Sequence, residues 1–420
     1  MLQYRQMCFP RGSYMRRKGI ILMKPQKTWM RRRHSIIRNI ACALIAPYTR
    51  WKYGITVERF REQNNRQFLI VMNHQTAFDQ FFIGMAFRGP VYYLASEDLF
   101  SIGWVSSLLR WAVAPIPIKK QTTDIQAVKN CIKVAREGGT IALAPEGNRT
   151  YSGRTLYMNP SIGSLAKKLN LPVAIFRIEG GYGIHPRWSD VVRKGKMRAY
   201  VSRVIEPEEY AGLTNTELFQ IIEKELYVDE ARVAGTYTHK KAAEYLERAM
   251  YVCPYCGLSE FESREDLTRC KKCGRQIRYL PTTELEGVGF KFPHRFVADW
   301  YDYQCEFVND LDLLSMCGAP IYRDTVRLSE VIVNKRKILL KEQAVVELYA
   351  DRITIDGEEY LFRDLSAVTV LGKNKLNVYL GQKLYQFKGD KHFNALKYVN
   401  LYFRHKNMTT GDRNGKFLGI

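Results

Sequence analysis

The chain has 420 residues, 46% hydrophobic and 12% aromatic, enough for one large core and one or two small ones, and it contains no internal repeat or low-complexity tract. Its nine cysteines are odd in number and five stand singly, which excludes a disulfide framework and suits reduced thiols in a cytosol. The formal net charge is +23, and residues 1–62 hold 15 Lys or Arg against two acids, Glu58 and Glu62, a local surplus of +13. A basic end of this kind seeks nucleic acid or the anionic cytoplasmic face of a membrane.

In chain order, Met1 to Leu22 is broken by Arg5, Arg11, Arg16, Arg17 and Lys18, so no signal peptide is expected. The stretch Ile36–Ala46 is apolar with helical spacing, and Ile36, Ile37, Ile40 and Leu44 share a face. It is shorter than the roughly 20 apolar residues that a bilayer crossing needs. Arg31, Arg32 and Arg33 precede it, and Arg50, Trp51, Lys52 and Tyr53 follow. The flanking charge predicts a helix lying in the membrane interface, with a core-facing helix as the alternative.

From residue 67 to about 205, strand-like runs (68–72, 91–95, 113–118, 140–144, 172–178, 198–205) alternate with helix-like ones (79–87, 103–112, 124–137, 160–169). This alternation predicts an α/β fold with a largely parallel sheet covered by helices. Thr214-Asn215-Thr216-Glu217 reads as a capping box opening a helix to Leu226, and a charged helical stretch at 239–250 leads out.

Within this region Asn73-His74-Gln75-Thr76-Ala77-Phe78-Asp79 leaves the apolar run 68–72, at the strand edge where open α/β sheets hold their ligands. A carboxylate on one imidazole nitrogen leaves the other as an acceptor and stabilises the imidazolium formed on proton uptake. The alternative is a turn histidine with Asp79 as a helix cap. A second strand run ends in Pro145-Glu146-Gly147-Asn148-Arg149-Thr150. There Gly147 lets the backbone approach a ligand, Arg149 can grip a phosphate, and Glu146 can orient that arginine or meet a substrate hydroxyl. The proline-stiffened run Ala114–Ile118 ends in Lys119-Lys120. One helix separates this run from the one before Arg149, so the two strands are expected to be neighbours whose ends converge on one anion. Each piece alone also reads as solvated surface.

Together these blocks resemble the glycerolipid acyltransferases, the 1-acylglycerol-3-phosphate acyltransferase family. His74 and Asp79 are similar to its H-x-x-x-x-D motif, Pro145–Thr150 to its P-E-G-T-R-S block, and Leu171-Pro172-Val173 to its proline-containing fourth block. The second block departs, with Ala114 where glycine is expected and Lys120 where arginine is. The resemblance covers roughly residues 35–225. It implies that His74 takes a proton from a lysophospholipid hydroxyl, which then attacks an acyl thioester carried by acyl-CoA or acyl carrier protein, while Asp79 holds the imidazole. It also implies a glycerol phosphate held by Arg149 and Lys120, with Lys119, Glu146 and Gly147 beside them.

The second half lies outside that resemblance. Cys253-Pro254-Tyr255-Cys256 and Cys270-Lys271-Lys272-Cys273, 13 residues apart and each followed by glycine, predict a structural four-thiolate zinc site. An aromatic amphipathic helix is expected from Phe296 to Leu313. Short strands follow at 326–333, 344–349, 352–356, 366–371, 375–380 and 383–388, then a helix at 391–403. This pattern resembles a pleckstrin-homology-like barrel, and Lys373, Lys375, Lys383 and Lys388 are candidates for an anionic-lipid face or a solvated one.

The expected organisation is a basic segment with an interfacial helix at 1–62, an acyltransferase domain at 63–240, a zinc ribbon at 250–280, a helical connector at 281–320 and the β domain at 324–406. The expected function is a peripheral or monotopic enzyme on the cytoplasmic side of a membrane, acylating 1-acylglycerol 3-phosphate to phosphatidic acid. Glycerol 3-phosphate or another lysophospholipid is an alternative acceptor. A non-catalytic basic zinc-ribbon binder is the alternative of another class; nucleic acid, whose binding would show aromatics interleaved with basic residues on one face, is not the expected partner.

Overall fold

The computed structural model describes residues 28–96, 99–100, 103–118, 124–155, 157–316, 318–332 and 336–411. Most of the basic amino-terminal segment, together with Lys119 and Lys120, lies outside the described residues.

Helix α1 (Arg32–Tyr53) runs through Pro47 and ends at Gly54. Gly54 has φ +56°, and a Cβ there would meet the Gly195 carbonyl oxygen at 2.2 Å, so only glycine fits the corner. The predicted helix at 36–46 is thus the centre of a longer one. After it come β1 (Ile55–Val57), β2 (Leu69–Met72), α2 (Asp79–Ala86), β3 (Val91–Ser96), α3 (Trp104–Ala112), β4 (Ile116–Ile118), α4 (Ile125–Arg136) and β5 (Thr140–Leu143). They are followed by α5 (Ser161–Leu169), β6 (Val173–Glu179), the single turn α6 (Gly181–Ile184), β7 (Met197–Ile205), the single turn α7 (Pro207–Tyr210) and α8 (Asn215–Leu226). Thr214 and Glu217 close the expected capping box on α8.

The sheet order is β1-β7-β6-β2-β5-β3-β4, and β4, β3, β5, β2 and β6 are parallel. Strand β7 runs antiparallel to β6 and pairs in parallel with β1. Strand β2 is central because both of its faces are apolar. Leu69 and Val71 enter one core, with Ile162 and Leu218 from α5 and α8, and Ile70 and Met72 enter the other, with Phe82 and Ile83 from α2.

Beyond α8 the expected helix at 239–250 is absent; only a 3₁₀ turn, Leu246–Arg248, forms there. Tyr245 sits at φ +72°, and its N–H donates to Ser263 Oγ at 2.6 Å, while the Ala243 N–H goes to the Glu265 carbonyl at 2.7 Å. Hydrogen bonds to a distant hairpin have replaced the helical ladder. That hairpin belongs to β8 (Val252–Cys253), β9 (Gly257–Leu258), β10 (Phe261–Arg264), β11 (Leu267–Cys270), β12 (Gln276–Tyr279) and β13 (Leu285–Gly287). Strand β13 pairs with β12, so this sheet continues past residue 280 into the stretch expected to be helical.

Helix α9 (Val297–Asp310) leads to β14 (Tyr322–Ile332), β15 (Arg336–Leu348), β16 (Arg352–Ile355), β17 (Glu358–Leu361), β18 (Leu365–Leu371), β19 (Lys375–Leu380), β20 (Lys383–Lys388) and α10 (Leu396–Thr410). These strands form a curled antiparallel sheet, β17-β16-β15-β14-β20-β19-β18, in which the first strand meets the last. Helix α10 starts later than expected because Asn394 Oδ1 accepts from the Leu396 N–H at 2.8 Å. Of the four lysines expected to share a face, Lys373 turns inward, where its Nζ donates to Asp190 Oδ1 at 3.0 Å. The ribbon, α9, the curled sheet and α10 share one core, and Tyr151 and Trp188 from the first half pack into it.

Candidate active site

The chain leaves β2 through Asn73, which behaves as an extra strand residue. Its Oδ1 accepts from the Ile178 N–H and its Nδ2 donates to the Ile178 carbonyl, both at 2.8 Å. The turn thus anchored wraps around a single carboxylate. Asp79, fully buried in the first turn of α2, accepts from the Gln75 N–H (2.7 Å), the Thr76 N–H (2.9 Å) and the Thr76 hydroxyl (2.6 Å). Its Oδ2 lies 2.8 Å from His74 Nδ1. A carboxylate is an acceptor only, so Nδ1 carries the proton and Nε2 is left with its lone pair. The imidazole is 25% exposed while the carboxylate is sealed.

Strand β5 is the parallel neighbour of β2, so Pro145–Thr150 leaves the sheet beside His74. Glu146 Oε1 accepts from the His74 backbone N–H at 2.9 Å. The residue expected to orient Arg149 or meet a substrate hydroxyl thus holds the histidine's main chain. Gly147 has φ +69° with open space where a Cβ would be, so the requirement for glycine there is conformational. Burial lowers the Arg149 pKa to about 10, the nearby Arg187 charge adds to the shift, and Asp79, Tyr151 and Tyr53 oppose it. Arg149 is therefore within electrostatic reach of the His74–Asp79 pair, and its Nη1 is buried without a hydrogen-bond partner among the described residues.

Arg187 was not singled out by any sequence pattern. It is buried, stacks over the Tyr151 ring at 4.3 Å, and donates to the carbonyls of Arg149 (2.9 Å), Gly372 (3.0 Å) and Val370 (3.3 Å). The strand expected to neighbour β5 does not: β3 lies between β4 and β5, putting the end of β4 two strand spacings, roughly 10 Å, from the Arg149 loop. The proline-bearing run nevertheless forms the edge strand, where the missing N–H of Pro117 costs no ladder bond on its open side.

A continuous cavity of about 1600 Å³ takes in His74, Glu146, Gly147 and Arg149. Its lining is apolar at Met72, Phe81, Leu94, Leu109 and Val128, and it extends to α9, β18 and α10, which contribute polar side chains such as Asn309, Ser366 and Thr369. Helices α1 and α3 both contribute to the lining, through Ala41 and Cys42 and through Leu109. Away from it α1 exposes Ile36, Ile40, Leu44, Tyr48 and Trp51, and α3 exposes Trp104, Leu108 and Trp111. No helix among the described residues is long and apolar enough to cross a membrane.

Far from this cleft in sequence, Cys253, Cys256, Cys270 and Cys273 bring their sulfurs within 4.8 Å of one another. Gly257 and Gly274, at φ +73° and +74°, make the tight turns after each pair. Four thiol donors around one point form a set able to hold a metal ion.

Residues 54–179 match the family model described as Acyltransferase. The chain is similar to a 1-acyl-sn-glycerol-3-phosphate acyltransferase of Bacillus subtilis (strain 168), 23% identical over 152 residues, which are 36% of this chain and 72% of that protein. It is also similar to the chloroplastic 1-acyl-sn-glycerol-3-phosphate acyltransferase LPAT1 of Arabidopsis thaliana, 23% identical over 199 residues, 45% of this chain and 53% of that one. Among solved structures, the 1-acyl-sn-glycerophosphate (LPA) acyltransferase PlsC of Thermotoga maritima is 23% identical with a TM-score of 0.39, over 47% of this chain and 80% of that one.

Proposed function

We propose that this chain, whose residues 54–179 match an acyltransferase family model, moves a fatty acyl group from a thioester to the free hydroxyl of 1-acylglycerol 3-phosphate. The observation that carries this reading is the Nδ1-protonated His74 on Asp79, with the Arg149 guanidinium beside the pair. His74 Nε2 accepts the proton of the acceptor hydroxyl as its oxygen attacks the thioester carbonyl. The tetrahedral intermediate expels the thiolate as its C–S bond breaks, the thiolate takes the proton from His74, and Asp79 stabilises the imidazolium between the two steps. Arg149 holds the phosphate, with Lys119 and Lys120, which follow β4 in sequence, as further cations. The nucleophile belongs to the substrate, so no serine or cysteine of the chain is consumed.

The apolar stripes on α1 and α3 support docking of the enzyme on an anionic bilayer, with the basic amino-terminal segment adding charge attraction. We assign this surface to the cytoplasmic leaflet, and the bound form to a peripheral or monotopic one. In this reading the acyltransferase domain is 63–240 and the ribbon 250–280. The ribbon holds one structural zinc through Cys253, Cys256, Cys270 and Cys273. Sulfurs at about 2.3 Å from zinc have tetrahedral edges of roughly 3.8 Å. The Cys253–Cys273 and Cys256–Cys270 separations of 3.8 and 3.5 Å fit that size. The strand order and terminal helix of 324–406 support a pleckstrin-homology-like barrel.

The test is an acyl-transfer assay of the purified full chain with acyl-CoA and acyl carrier protein donors and a panel of acceptors. Phosphatidic acid formed from 1-acylglycerol 3-phosphate is the expected product. Preference for glycerol 3-phosphate or another lysophospholipid would reassign the acceptor, and no transfer with any pair would leave a zinc-ribbon binding protein.

A further inference from the structure

We propose that the part of the cavity walled by α9, β18 and α10 binds the phosphopantetheine arm of the acyl donor; this rests on the acyl-transfer reading above. The apolar lining residues suit an acyl chain, and Arg149 accounts for the acceptor phosphate. The lining from α9, β18 and α10 includes the neutral hydrogen-bonding side chains Tyr301, Asn309, Ser366 and Thr369, beside the apolar Cys305 and Phe403. Tyr301 is 5% exposed, and both its Oη and Asn309 Oδ1 are buried without a hydrogen-bond partner among the described residues. Buried polar atoms are almost always satisfied, because leaving one unpaired costs free energy, so these two mark where a ligand supplies the partner.

The channel also carries Lys168 of α5 and Lys406 of α10, exposed cations with no ion pair among the described residues. Of the acids beside these lysines, Asp302 is paired with Arg154, and Glu223 of α8 also lines the cavity. Neutral donors and acceptors along a channel, with cations beside it, match one chemical class well. Phosphopantetheine is a long, narrow chain of two amides and a hydroxyl, branched only at one dimethyl carbon beside its terminal phosphate, and it is common to acyl-CoA and acyl carrier protein. A lipid acceptor, whose tail stays in the bilayer, has no comparable polar length. The wall is also fixed relative to the reacting centre, since Arg187 ties β18 and the turn after it to the Arg149 carbonyl.

The experiment is steady-state kinetics of the full chain, with the donor varied at saturating acceptor and then the reverse. Lys406→Glu and Asn309→Ala are expected to raise the donor KM roughly tenfold, the loss of about one good polar contact, and to leave the acceptor KM within about twofold. Lys406 is on the surface, so its variant reports on the site even if a core variant folds poorly. Acyl-CoA and acyl carrier protein should lose equally. Loss with acyl-CoA alone overturns the shared-arm assignment, because the lysines would then be reading nucleotide phosphates. An unchanged donor KM in both variants, or a raised acceptor KM in its place, overturns the proposal while leaving the acyl-transfer reading intact. Calorimetric titration with phosphopantetheine needs no turnover. Binding to the wild type that weakens in Lys406→Glu is expected, and no binding to the wild type overturns the site.

Discussion

Arg187 donates from Nη1 to the Arg149 carbonyl at 2.9 Å while the rest of its guanidinium reaches Val370 and Gly372. One buried side chain thus ties the loop assigned to the phosphate to the curled sheet. Arg187→Ala should cost about 2–4 kcal/mol, since three carbonyls lose their donor and net hydrogen bonds contribute about 1 kcal/mol each before the penalty for unsatisfied groups. It should also raise the acceptor KM by misplacing Arg149, with partial rescue in Arg187→Lys. Denaturant titration and acceptor-varied kinetics read the two effects separately.

His74→Ala should lower turnover by roughly 10²–10⁴-fold, the usual contribution of a positioned base, without unfolding the chain. Asp79→Asn should do more than misorient the ring. Its amide nitrogen would face one of the N–H or O–H donors from Gln75, Thr76 or His74, at about 1–3 kcal/mol for the group left unpaired. Turnover and thermal unfolding of both variants check this. Near-normal turnover of His74→Ala would remove the base assignment.

Protein purified without chelator should contain one zinc per chain, and Cys270→Ser should contain none. Metal loss should open the ribbon first, because binding energy at such a site is folding energy. Hydrogen exchange should rise next in α9, whose Trp300 Nε1 donates to the Val252 carbonyl at 2.8 Å. Elemental analysis followed by exchange after chelation measures both.

Leu44→Glu and Trp104→Glu, at exposed positions of α1 and α3, should each weaken binding to anionic vesicles roughly tenfold or more, since a buried large apolar side chain contributes about 1.5–3 kcal/mol. Binding of the unaltered chain should weaken with salt. Co-sedimentation with vesicles of defined charge reads both.

Glu230 is buried, and that burial lifts its pKa to about 8 although the Tyr182 and Gly180 backbones oppose the shift. A carboxyl raised above its unfolded value binds its proton more tightly when folded. Its contribution is fully present below about pH 4.5 and is lost as pH rises through about 8. Glu230→Gln, which cannot ionise, should gain stability over the wild type progressively between these values. Unfolding midpoints at pH 5, 7 and 9 test the trend.

Much of this protein follows from local pattern. The run Leu69–Met72 is apolar at every position, so it could only be a strand covered on both faces, and the strand-helix alternation around it left few topologies. The spacing of His74 and Asp79 is that of a turn running into a helix, and the two Cys-x-x-Cys pairs bring four sulfurs together whenever their hairpins form. Position 245 shows the limit. Its charged surroundings have helical propensity, but Ser263 and Glu265 take the backbone N–H groups first, and propensity is too weak to compete with tertiary bonds.

The sequence by itself determined most of the strands and helices around His74 and the chemistry available at two sites, because side-chain period and short-range spacing are properties of neighbours along the chain. The tertiary structure alone decided what meets across distance. It put β3 between β4 and β5, so that one edge run does not adjoin Arg149; it turned Glu146 to the His74 main chain; and it brought Arg187 and Tyr301, 114 residues apart, into the lining of one cleft. Those contacts span up to 183–185 residues between Arg187 and β18 or the turn beyond it. Closing such loops is driven by burial in a shared core, which no local window of sequence encodes.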